Sequence, residues 1–425
     1  MPVKRYFLKG IDYFQLLIDH HNKRHGGPGH EARLAIYLDG KVSETTFNSL
    51  LQKNEICERL RKLYISKTAG LGYPSLVFSE TGTNIPVTYH HLDSNEIPGE
   101  FLNKPVAVYN MPPLHVQVLY FANASSCILF TFHHILFDFA GVQSVIASLT
   151  GIKNIPLIST VKTNDAFTLR FKRFFNAVFF TFREANRKMT IPERVLPKEK
   201  PLKIIYRELS FNATETEAIN EKCQKLGLQL NKSIFHVACT AIALHKEIFA
   251  HQKKHRFLWI PVPVNFRKKG TQDAVLFNGL SFLFYKLFPG DLDSLKKTIP
   301  TLLQQMKDQM RKDLPKAFID FVDGYWYMPM PFYYPMMNLP SLGKLSSFSF
   351  STLGTTFAGM QEFLGLPVTE IKNFPSNSIS PGITFLFYEF RGQLRLMTSW
   401  VDGQYSDTEQ QAVLQQVKSL MTKSF

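Results

Sequence analysis

"FTFHHILFDFAG", residues 130–141, is the stretch on which the reading of this chain turns. Two adjacent histidines close an apolar run that begins at Cys127, an aspartate follows four residues after the second, and a glycine comes three after that. A nearly continuous apolar run of this kind reads as a strand buried on both faces. The next stretch, "FDFAGVQSVIASLTG", spaces Val142, Val145, Ile146 and Leu149 as a helix does, with Gly151 as its stop. The intervening "ILF" is then a tight apolar loop, and His134 stands just past a buried strand, where a loop presents a side chain to a cleft. A neutral imidazole in that place can take a proton from an alcohol or amine as it attacks a carbonyl, worth about 10²–10⁴ in rate. The chain has two other histidine pairs, His20-His21 and His90-His91. At the aspartate's offset they carry His25 and Asn95 instead.

At 425 residues the chain is too long for one ordinary core, so two domains of about 200 residues each are expected. With 45% hydrophobic and 20% charged residues it is globular, not disordered. Its 38 phenylalanines point to large apolar interiors or a wide apolar channel. The net charge of +15 favours polyanionic partners: phosphorylated cofactors, an acidic carrier protein or anionic lipid. Nucleic acid is set aside, because the basic residues form no long block and no zinc-finger, RNA-recognition or basic-zipper pattern is present. Cys57, Cys127, Cys223 and Cys239 are scattered without a CxxC and read as free thiols of a reducing compartment. The N-terminus has no apolar signal core, and no apolar run approaches the roughly 18 residues of a membrane span. A cytoplasmic protein is expected, with peripheral attachment to the inner membrane as a variant of that expectation.

Along the first half, a strand at Leu34 to Leu38 and an Asp-Gly turn lead to a helix capped by Ser43, with Phe47, Leu50, Leu51, Ile56 and Leu60 on its apolar side. "LRFKRFFNAVFFTFREANRK" mixes phenylalanine with Arg and Lys. It has two readings: a connecting helix packed on its own domain, or a basic amphipathic helix on a membrane surface. The Pro- and charge-rich stretch after it reads as a linker. The second half repeats the style of the first, with strands at "IIYRELSF", "RFLWIPVPVNFR" and "LSFLFYKLF", and two helices separated near Gly227. "ITFLFYEFRGQLRLMTSWVDG" is a hairpin turning at Arg391-Gly392, and a final helix starts after Ser406. The domains expected are 1–185 and 206–425, joined by a linker at 186–205. Both belong to an α/β (α+β) class.

"HHILFDFAG" resembles the HHxxxDxxG signature of the CoA-dependent acyltransferase superfamily, which includes chloramphenicol acetyltransferase, condensation domains, plant acyltransferases and wax ester synthases. "IPVPVNFRKKG" with "FNGLSFLFYKLF", "FSFSTLG" and the closing hairpin are similar to second-half motifs of the same group. The resemblance implies two chloramphenicol-acetyltransferase-like domains in a V, with a tunnel between them and the second histidine at its middle. It implies His134 as general base, His133 as its structural neighbour, and Asp138 as a structural carboxylate paired with Arg267. Gly141 would let the helix pack closely. Ser351, Thr352 and Asn278 become candidates for oxyanion or substrate contacts. Phe139 stands where relatives commonly have glycine, and Thr352 where they have asparagine.

The activity implied is acyl transfer from a CoA or acyl-carrier-protein thioester to a hydroxyl or amine of a lipophilic acceptor. No cofactor is permanently bound and no metal is required; acyl-CoA or a phosphopantetheine thioester is the co-substrate. "DGYWYMPMPFYYPMMNLP" at 323–340 reads as acyl-channel lining or as a loop packed on the core. His21 and His25, at i,i+4 spacing, lack the other ligands of a metal motif and precede a helix-breaking Gly-Gly-Pro. The rival reading is a non-catalytic relative that binds lipid or a carrier protein.

Overall fold

The computed structural model describes all residues except 1–3, 9, 68–73, 81, 108, 152–164, 186–187, 195, 253–255, 268–274, 277, 326–328, 339–342 and 424–425. The fold is mixed α/β and is organised by two sheets. The larger has six strands in the order Glu362–Phe363, Leu366–Phe374, Glu31–Leu38, Ser126–His133, Leu114–Tyr120 and Val87–His91. The smaller has four, Ser349–Thr355, Ile383–Phe390, Gln393–Val401 and Ile204–Ser210. An antiparallel ribbon of Leu258–Asn265 and Leu280–Leu287 pairs only with itself among the described residues and packs beside strand Ser349–Thr355 of the smaller sheet.

The apolar run of strand 126–133 is explained by its place. It is an interior strand of the larger sheet, and every one of its residues is buried. Ile128, Phe130 and Phe132 serve the core of the first half, together with Leu34, Ile36 and Val116. Cys127 and Leu129 face the other way and meet Leu386, Tyr388 and Met397 of the smaller sheet. A strand with apolar layers on both faces has no use for polar alternation.

The halves are interlocked. Strand 366–374 comes from the second half yet pairs antiparallel with strand 31–38, Ile371 opposite Ile36. Val368 and Ile371 then complete the first-half core. Locally the chain follows short-range chemistry. Arg391 and Gly392 both have positive φ, 49° and 72°, which suits the two-residue turn of the 383–401 hairpin. Ser406 and Glu409 form a capping box at the last helix, Asp407–Thr422. Ser43 caps its helix through Thr46 N. The single helix expected after it is two, Glu44–Lys53 and Glu55–Arg61. Asn54 breaks it by turning its side-chain oxygen onto Cys57 N at 3.0 Å. The four cysteines are buried and free. Among the described residues no helix is long and apolar enough to cross a membrane.

Candidate active site

Strand 126–133 ends at His133, a loop spans 134–138, and the helix Phe139–Leu149 begins with Asp138 as its N-cap. The loop is held at each end by a different polar network. At the strand end, Ile135 N–H donates to His133 Nδ1 at 3.2 Å, which leaves the ring proton on Nε2 facing Asp19 Oδ1 at 3.2 Å. Asp19 also accepts from His30 N at 3.0 Å and from Lys23 Nζ at 2.8 Å. Burial works to raise the Asp19 pKa, but the hydrogen bond and charge of His133 and the charge of Lys23 outweigh it and hold the carboxyl well below its usual range. Asp19, Glu31 and His133 present donor atoms within 4.8 Å of one another, all buried. The Nδ1 lone pair of His133 and the Asp19 oxygens are already engaged within the protein, so this trio is a brace for the strand end.

At the helix end, the Asp138 carboxylate takes four bonds. Oδ1 accepts from Gly141 N at 2.9 Å and Arg267 Nη2 at 2.7 Å; Oδ2 accepts from Gly279 N at 2.9 Å and Arg267 Nε at 3.2 Å. Arg267, just beyond strand 258–265, thus ties the second half to the loop of the first by a two-pronged ion pair. A Cβ on Gly141 would stand 2.4 Å from Val275 O, so only glycine lets the helix approach this segment. Asn278 lies behind the loop. Its amide nitrogen donates to Asp12 Oδ1 at 2.7 Å and to the carbonyls of His134 and Ile135 at 3.0 and 3.1 Å. Those bonds engage the amide nitrogen of Asn278 with Asp12 and the loop backbone.

Between the two networks the His134 ring lines the cavity, with a hydrogen bond to the Phe137 backbone. Its backbone is pinned, N–H to His30 O at 3.0 Å and C=O to Asn278. The ring stacks on His30, centroids 4.7 Å apart and planes at 25°. His30 Nε2 is 2.8 Å from Gln15 Oε1, which fixes its own proton there. The His134 pKa is pushed down to about 4, chiefly by burial and then by the neighbouring His133, against the opposing charge of Asp138. At neutral pH the imidazole is uncharged and able to accept a proton.

The cavity holds about 500 Å³ and lies between the halves. His134 and His30 line it beside Ser351 and Thr352 of strand 349–355, with aromatic walls that include Trp259 and Phe284. Phe139, the departure from the glycine of relatives, also lines it and meets Phe357 at 6.0 Å. Of the aromatic stretch 323–340, Tyr333 reaches the cavity; residues 326–328 and 339–340 lie outside the described residues. His21 and His25 lie in ring contact at 4.2 Å, with His21 Nδ1 on Tyr334 OH at 3.0 Å and His25 Nδ1 on His21 O at 2.8 Å.

No protein-family model and no curated protein sequence matches the chain. Solved structures do. The first condensation domain of the CDA synthetase superposes with a TM-score of 0.69 at 12% identity, over 99% of this chain and 96% of that one. The chain has a condensation-domain fold. The trichothecene 15-O-acetyltransferase from Fusarium sporotrichioides matches this condensation-domain fold with a TM-score of 0.69 at 13% identity, over 99% and 95%. The epimerization domain from the third module of tyrocidine synthetase B matches at 0.68 and 9%, over 99% and 96%. The fold implied by the resemblance to CoA-dependent acyltransferases is the one adopted. Proteins named for condensation, acetyl transfer and epimerization share it, so the reaction has to be argued from the site.

Sequence reasoning missed His30, Gln15 and Asp19. Nothing short of the pairing of Glu31 with His133 across two strands brings His30 beside His134.

Proposed function

We propose that this protein transfers an acyl group from a CoA or carrier-protein thioester to a hydroxyl or amine of a lipophilic acceptor, with His134 as general base. The observation that carries the reading is the His134 imidazole, stacked on His30 and held by its backbone on the wall of an apolar cavity. The acceptor oxygen or nitrogen attacks the thioester carbonyl as its proton passes to His134. Ser351 and Thr352, which line the same cavity as His134, are the hydroxyls assigned to the tetrahedral oxyanion. Collapse breaks the C–S bond, and the proton on His134 leaves with the thiolate. The nearby Asp138 carboxylate favours the transient imidazolium without taking up the proton. The positive charge of the chain suits the phosphates of CoA or an acidic carrier.

The test is thiol release from acyl-CoAs of graded chain length, each with and without alcohol and amine acceptors, repeated with acyl-carrier proteins. Acceptor-dependent release from either donor class supports the reading and ranks the chain lengths. Retention of the acyl ligands without turnover from both would favour the non-catalytic binder.

A further inference from the structure

Helix Phe167–Glu184 has one face bound to the protein and one bare. On the bound face, Arg170 and Arg173 both donate from Nε to Asp320, at 2.8 and 2.6 Å, and Arg170 Nη2 reaches Asp323 at 3.1 Å. Ala177 is buried there with Leu314 and Ala317 of the helix Leu314–Tyr325. On the other face, Phe167, Phe171, Phe175, Phe179 and Phe182 are 80, 55, 39, 69 and 51% exposed. Steps of four, four, four and three residues keep them on one stripe of about 22 Å. Their rings touch in sequence, Phe167 to Phe171, Phe171 to Phe175 and Phe175 to Phe179, with centroids 6.0, 4.8 and 6.5 Å apart.

Five adjacent phenylalanines left to water mark an interaction site, since folded chains rarely tolerate such a patch. The chemistry around the stripe says what kind. Lys172 and Arg183 are exposed on the same helix. Its one acidic residue, Glu184, is taken up by Arg183 and Lys286. Phenylalanine edged by cations, on a chain of net charge +15, complements an anionic bilayer. The stripe also runs into the candidate site: Phe182 belongs to the exposed row and lines the cavity with Thr181 and Ala185.

We propose that helix 167–184 docks this protein on anionic lipid bilayers, its phenylalanine stripe in the headgroup boundary and the cavity opening towards the lipid. Membrane docking goes beyond the acyl-transfer reading and does not depend on it.

Co-sedimentation of the full chain with phosphatidylcholine vesicles, with and without phosphatidylglycerol, tests the proposal. Wild type is expected to pellet with the anionic vesicles, less so as salt rises. The Phe167→Ser/Phe171→Ser/Phe179→Ser variant should lose at least about tenfold in partition at an unchanged melting temperature, because those rings are exposed. His134→Ala should bind vesicles as wild type does, which separates docking from catalysis. Wild type remaining in the supernatant with anionic vesicles, or a triple variant that still binds them, would overturn the proposal. So would a lipid-free wild-type dimer that the triple variant turns into a monomer, since the stripe would then belong to a second copy.

Discussion

His134 and Asp138 stand four residues apart in one loop and are built for opposite work. Asp138 is saturated: an arginine fork, a helix N-cap and a glycine N–H fill its two oxygens. The His134 ring is stacked against a second imidazole, while its backbone carries the bonds that hold it in place. A side chain whose hydrogen-bonding capacity is used up is a fastener. One whose position is fixed through the backbone remains available for chemistry. If the proposed function holds, the loop divides into a reactive position and a structural one, and substitutions should separate the two.

The largest effect on stability should come from the fastener. Asp138→Ala removes a buried carboxylate that takes four bonds, two of them from Arg267, and is expected to cost about 3–5 kcal/mol, read as a fall in denaturation midpoint together with activity. Arg267→Ala should act in the same direction. If both kept wild-type stability while turnover vanished, Asp138 would belong to the chemistry and the contrast would fail.

A smaller loss is expected from Gly141→Ala, because the added methyl meets a backbone carbonyl that cannot swing aside as a side-chain end would. Overpacking of this kind costs about 1–3 kcal/mol. Unchanged stability would mean that the segment at Val275 yields easily.

The smallest effect near neutrality concerns pH. Burial lowers the pKa of His134, His21 and His115 to about 4 and of His236 to about 3, from 6.5. The unfolded chain, with ordinary histidines, binds protons that the folded chain refuses. Stability from this source is therefore full above about pH 6.5 and falls as the pH drops towards 4. The acid limb of the rate profile should lie near the lowered His134 pKa, well below 6.5. A limb at 6.5 would show that the imidazole is not insulated from water in the working enzyme.

Much of this was legible in the sequence because it depends on short-range chemistry. The strand–loop–helix around His134, the turn at Arg391-Gly392 and the capping box at Ser406 each sit within a few residues of chain. The Asp138–Arg267 pair was accessible only through the resemblance to known acyltransferases. What the sequence did not disclose depends on long-range pairing. The crossing of strand 366–374 into the first-half sheet, and the meeting of His30 with His134, require a register that no local pattern encodes. Asn278 shows a related limit, since its residue type fits a substrate contact as readily as a backbone brace. The phenylalanine stripe was visible as composition, but which face of its helix is covered depends on the partners at Asp320 and Asp323.

The central claim is that His134 supplies the base while the loop around it supplies only position. Its most direct test is acceptor-dependent thiol release by wild type and His134→Ala, with melting temperatures taken on the same preparations. A loss of about 10²–10⁴ in rate with the fold intact is expected of His134→Ala. A folded His134→Ala protein that turns over at the wild-type rate would contradict it.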